Sequence, residues 1–178
     1  MPSDRFLPDA GFAPAPAGAR VRLATLLSVV LVVLATVVLA VLMLRDRHVP
    51  RPMFVIVIIA PAGAVLTWLA ARIRRYRLVG HELLVELPFH TARFPLAGLL
   101  DATPDREAMR HAWKVYGNDG LGAVAGRFRN KRLGAFRAYL TDTEHAVVLR
   151  WPDRCLVISP QQNSFFLEAV RKRAGLTR

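Results

Sequence analysis

The stretch Gly120-Leu121-Gly122-Ala123-Val124-Ala125 fits G-x-G-x-x-A, a spacing that can wrap backbone amides around a pyrophosphate. That chemistry needs a helix after the second glycine, and Gly126, Asn130 and Gly134 argue against one. The glycines read better as loop residues, and no cofactor is expected. His48, His81, His90, His111 and His145 are scattered without the spacing of a zinc pair, so no metal is expected either. Cys155 stands alone in an apolar run and reads as a buried small hydrophobe, with no second cysteine for an internal disulfide. Ser159 lacks the flanking glycines of a nucleophile elbow, and Asp101, Asp105 and Glu107 suit an ordinary helix start. No catalytic set emerges, so the chain is not expected to be an enzyme.

What remains is positive charge. The chain carries a net +12, with 25 Lys or Arg against 13 Asp or Glu. Two clusters stand out: Arg72, Arg74, Arg75 and Arg77, and then Arg127, Arg129, Lys131 and Arg132 in GRFRNKR. The first suits topology at a membrane exit, and the second suits a solvated hairpin face. Both can also meet anionic headgroups, where each basic residue adds up to about 1 kcal/mol. Net charge admits nucleic acid, but no recognition helix or aromatic RNA platform is readable, and nucleic acid ranks last. Only Lys114, Lys131 and Lys172 are lysines, which points to a general preference for arginine.

These clusters follow two long apolar runs. Ala24 to Leu44 and Met53 to Ala71 contain no charged residue, and each approaches the roughly 20 residues that span a bilayer. The expectation is two transmembrane helices within residues 21–73, at about 24–44 and 53–71, behind a disordered tail over 1–20. The first run is too long for a cleaved signal. Pro61 should kink the second span, Ala60, Gly63 and Ala64 should allow close helix contact, and Trp68 should anchor at the interface. Arg5, Arg20 and Arg22 with the exit arginines outnumber Arg45, Arg47 and Arg51 of the connector. By the positive-inside rule both termini are then expected in the cytoplasm.

From Tyr76 onward, short apolar stretches alternate with turn residues, as in an all-β domain. Strands are expected over 76–79, 83–87, 94–102, 136–141, 146–151 and 155–159. Phe136, Ala138 and Leu140 share one face, and Arg137, Tyr139 and Thr141 share the other. A C-terminal helix should follow, capped by Ser159 with Pro160 at its first turn, or starting at Asn163. Phe166, Ala169 and Val170 form its apolar stripe, and Gly175 ends it.

The residues Gly126-x-Phe128, Gly134, Tyr139-x-Thr141, Val147-Val148-Leu149, Ile158-Ser159-Pro160 and Phe166 resemble bacterial pleckstrin-homology-like domains found behind transmembrane hairpins. The earlier segment, Tyr76 to Ala102, resembles the opening strands of that family. The resemblance implies a bent barrel of about seven strands with a C-terminal capping helix over 76–175, and an insertion around 103–122, partly helical over Asp105 to Trp113. It also implies a non-catalytic module for protein interaction, self-association or assembly at the cytoplasmic face. Direct binding of anionic phospholipid is the alternative, and an accessory subunit of a membrane enzyme or transporter ranks behind both.

Overall fold

The computed structural model describes residues 9–45 and 51–176. Two helices come first after a short strand: β1 (Ala10–Phe12), α1 (Ala19–Arg45) and α2 (Arg51–Ala71). Nine strands follow: β2 (Arg75–Val79), β3 (Glu82–Glu86), β4 (Thr91–Pro95), β5 (Asp101–Pro104), β6 (Trp113–Asp119), β7 (Val124–Asn130), β8 (Gly134–Leu140), β9 (Val147–Arg150) and β10 (Cys155–Ile158). The chain closes on α3 (Asn163–Ala174). The result is a mainly β domain of two sheets with a C-terminal helix, the fold class expected. One sheet has the order β1-β2-β3-β4, and the other β5-β9-β10-β8-β7-β6.

Strand alternation builds two cores on the larger sheet. Val147, Leu149, Leu156 and Ile158 face the smaller sheet, meeting Tyr76, Leu78, Leu83, Val85 and Phe94. Phe166 and Val170 of α3 plug that core, and Phe12 meets Phe166 edge to face at 5.2 Å. On the other side Val124, Phe128, Phe136, Ala138, Leu140, Val148 and Val157 are covered by Val21, Ala108 and Met109. Tyr76 joins the two sheets: fully buried, its hydroxyl donates to the Tyr139 carbonyl at 2.8 Å and accepts from the Ser159 amide at 3.3 Å. Tyr76→Phe leaves both groups unpaired in the core and should lower stability by about 1–3 kcal/mol in a denaturant titration.

Several expectations are corrected. The tail expected to be disordered over 1–20 is folded from Asp9, while residues 1–8 lie outside the described residues. β1 pairs with β2, the Ala15 amide donates to the Ser159 carbonyl at 2.8 Å, the Gln161 amide to the Ala13 carbonyl at 2.9 Å, and the Gly18 amide to the Thr141 carbonyl at 3.0 Å. Composition hid this, because Pro14 and Ala15 contribute edge pairing and burial with little apolar bulk. The insertion expected over 103–122 is a run of turns over 105–111 followed by β6, because Ala108 and Met109 must reach into the second core. The single strand expected over 94–102 is split by a turn at Gly98, whose φ is 72°. Ser159 does not cap α3, which starts at Asn163 behind Gln162. The Ser159 hydroxyl instead accepts from the Thr141 amide at 2.8 Å, and it is drawn to the seam where the N-terminal strap crosses β8 and β10. Gly175 ends α3 in the left-handed conformation, as expected.

The first turns of α1 belong to the β domain. Val21 is buried in the second core, and the Thr25 hydroxyl bridges the Gly120 carbonyl at 2.7 Å and the Gly122 amide at 2.9 Å. Beyond Thr25 the side chains of α1 are almost all apolar and are exposed or half-buried on every face, including Leu27, Leu31, Leu34 and Leu42. A helix hydrophobic on every face has no water-facing side. α1 is long and apolar enough to cross a membrane. α2 continues through Pro61, and its described apolar run, Ile59–Ala70, is shorter. The connector over 46–50 lies outside the described residues.

Candidate functional site

The chemistry-bearing feature of the fold is built by β7 and β8. Their register sets Phe128 opposite Phe136, which stack at 6.1 Å in the second core, and Arg127 directly opposite Arg137. Alternation therefore turns Arg127, Arg129 and Arg137 to the inter-sheet face. Along β8 on that face, Tyr139 is covered, meeting Phe94 of β4 at 6.1 Å. There the smaller sheet ends, because β4 is its edge. Past that edge the sheets part and leave a cleft of about 500 Å³. Its walls carry Arg93, Arg127, Arg129, Arg137 and Arg154, with Phe136 and Leu156 among its apolar lining and Asp153 as the one carboxylate among the described residues.

Arg154 lies over the Trp151 ring at 4.9 Å and reaches the Pro95 carbonyl at 3.4 Å. Arg93, Arg127, Arg129 and Arg137 make no side-chain hydrogen bond or ion pair among the described residues. Like charges directly opposite on a sheet are unfavourable. An arrangement of unpaired guanidinium groups around a half-open cleft is suited to an anion with several acceptor oxygens, since guanidinium presents its donors in a flat fork.

The eight basic residues singled out in the sequence are divided by the structure. Arg75 pairs with Glu86 at 3.0 Å, and Arg77 pairs with Glu86 and Asp9, each at 3.1 Å. The Glu86 hydrogen bond, ahead of the other causes, raises the pKa of Arg77. These pairs tie the strap to β2 and β3. Arg132 pairs with Asp105. Arg72 stacks over Trp68 at 4.4 Å, so the ring expected as an interfacial anchor is also a seat for its neighbour. Arg72 and Arg74 line a hollow beside Phe89, which is 71% exposed. Lys131 is exposed at the β7–β8 turn. Only Arg127 and Arg129 of the eight enter the cleft. Arg93, Arg137 and Arg154 were missed. Arg137 was readable as opposite to the apolar face of its strand, whereas Arg93 and Arg154 arrive through pairing that sequence spacing does not encode.

The other candidate chemistry resolves plainly. Residues after Gly122 form β7, so the glycine motif has no helix N-terminus behind it. Gly120 and Gly122 instead approach Ala24 and Trp68. No group of three His, Cys, Asp or Glu able to hold a metal occurs among the described residues. Cys155 lines the cleft half-buried, and burial, ahead of the opposing effect of Arg150, pushes its thiol up to about 11. Against an ordinary value of 9.0, that leaves about 100-fold less thiolate at neutral pH. Alkylation by iodoacetamide should be slower than for free cysteine by a similar factor. Burial also raises the Tyr76 phenol above its usual range. Both groups ionise more readily in the unfolded chain, so their contribution is complete below pH 9.0 and is lost as pH climbs past it. Thermal melts should fall from about pH 9 to 11.

Among known protein families, the one described as Bacterial PH domain matches residues 74–174. No curated protein and no solved structure matches the chain. PH domains are in general non-catalytic modules that engage lipid or protein, and that is the functional class the match gives. The match covers both sheets apart from β1, the arginine cleft and α3, more than half of the sequence. The chain belongs to the bacterial PH domain family.

Proposed function

We propose that the chain is a two-span membrane protein whose PH domain holds a protein partner by its anionic groups in the arginine cleft. The observation that carries this reading is where the cleft lies along the strands. The β6–β7 turn rests on α1 and α2 through Thr25, Ala24 and Trp68. From there β7 leads away at about 3.3 Å per residue. Arg127 is about 10 Å along it, and the Lys131–Arg132 turn about 20 Å. Surface charges act over a Debye length of about 8 Å in physiological salt. Measured along the strand, cleft and turn stand off from the anchor by about one and about two to three Debye lengths, which favours a partner in solution over the alternative of lipid binding by GRFRNKR. Lipid contact belongs instead to Arg72 and Arg74 beside Phe89, at the exit of α2.

Two spans are supported by parity. Residues 9–18 before α1 and residues 74–176 after α2 build one folded head. Crossings between them must then be even in number. With Leu26 to Leu44 the apolar part of α1 outside the head, α2 is the return. The arginines flanking the pair favour a cytoplasmic head at a bacterial inner membrane.

Photocrosslinking in native membranes tests the functional reading. A benzoylphenylalanine in place of Val115, which lines the cleft, should yield a protein adduct, and one in place of Phe89 should yield lipid. Lipid adducts from position 115 would refute it.

A further inference from the structure

The cleft has an open border that names the form of its partner. β6 is the outermost strand of the larger sheet, and Trp113 to Gly117 are exposed. Trp113 is 52% exposed, Val115 62% and Tyr116 77%. The opposite border of the same sheet is closed: Arg171 of α3 donates two bonds, at 3.2 and 2.6 Å, to the Ala102 carbonyl of β5. An uncovered edge presents a row of backbone donors and acceptors on which another strand can add.

The chemistry beside that edge selects what adds. Trp113 pairs with Arg129 and Tyr116 with Arg127, so both rings stand on the arginine face, flanking a bulge at Val115. A strand laid along β6 therefore sends every second side chain toward aromatic rings and unpaired guanidinium groups. A second copy of the chain would bring its own +12 and the same arginine face, which repels. Resting on the reading that the cleft takes a partner's anionic groups, we propose that the partner contributes an extended acidic segment. It adds to β6 as a further strand and turns its carboxylates toward Arg127 and Arg129 of β7, two strands away.

The test uses the full chain in phosphatidylcholine nanodiscs and a fluorescein-labelled heptapeptide of alternating glutamate and valine. A second peptide of identical charge carries N-methyl groups on alternate amides, removing the donors on one edge. Anisotropy should report binding of the first peptide, at least about tenfold weakening by N-methylation, and comparable or greater loss in Arg127→Gln/Arg129→Gln/Arg137→Gln. Equal binding of the two peptides, still lost in the arginine variant, overturns strand addition and leaves the cleft reading standing. Binding unaffected by the arginine variant overturns both. Absence of peptide binding overturns the proposal, as does tighter binding of oligothymidylate, which would mark a stacking surface for single-stranded nucleic acid. Self-association of the chain that protects β6 amides from hydrogen exchange would make a second copy the occupant and overturn it as well.

Discussion

Replacing Arg127, Arg129 and Arg137 together by glutamine should abolish binding of the anionic partner proposed for the cleft and make the head more stable. Each guanidinium contributes a charge-assisted contact worth at least about 1 kcal/mol, so losing three weakens binding by about 100-fold or more. The same groups oppose folding. Arg127 and Arg137 face each other directly across β7 and β8, with no carboxylate between them among the described residues. Relief of that repulsion is worth about 0.2–1 kcal/mol and should raise the melting temperature at low salt. Added salt should narrow the difference, because it screens the repulsion in the parent chain. A structural role for these arginines predicts the reverse sign: removal would lower the melting temperature. Binding and melting measured on the same variant separate the two.

Gly126→Ala should lower the stability of the head by about 3 kcal/mol or more. Gly117 and Gly126 sit opposite each other across β6 and β7, beside the bulge. A Cβ on Gly126 would lie 2.2 Å from the Tyr116 carbonyl oxygen and 2.9 Å from the Gly117 Cα, so the backbone itself must move. Its φ of 151° is open to glycine and costs other residues about 1–3 kcal/mol. Forcing the two strands apart adds a packing loss of about 1–3 kcal/mol. Denaturant titration of the full chain measures the change. β6 should also lose hydrogen-exchange protection first, since β7 is its only strand partner among the described residues. A change below about 1 kcal/mol would mean that the strands do not approach as closely as described.

How much could be read beforehand follows from what each element rests on. α1 was legible because the 21 uncharged residues from Ala24 to Leu44 leave few alternatives, and α3 because Phe166, Val170 and Gly175 mark its stripe and its end. β8 and β10 were legible from alternation and apolar runs. β6 and β7 were read only as far as a hairpin face at GRFRNKR, because glycines at 117, 120, 122 and 126 and arginines at 127 and 129 obscure the pattern that tertiary packing enforces. The strap was illegible for a different reason. Its hold on the head is mostly backbone pairing to β2 and to the ends of β8 and β10, and backbone bonds leave little trace in side-chain composition. The cleft was half legible. GRFRNKR pointed to Arg127 and Arg129, whereas Arg93 and Arg154 depend on how β4 and the β9–β10 turn come to rest beside β7 and β8.

The reading depends on one head assembled from both sides of a membrane hairpin. It is tested most directly by labelling single cysteines in sealed native vesicles with a membrane-impermeant maleimide. The full chain would carry Cys155→Ser and, one at a time, Ala13→Cys in the strap, Lys131→Cys at the β7–β8 turn and Arg47→Cys in the connector. Positions 13 and 131 should react from the same face of the membrane and position 47 only from the other. Reaction of positions 13 and 131 from opposite faces, or of all three from one face, would contradict it.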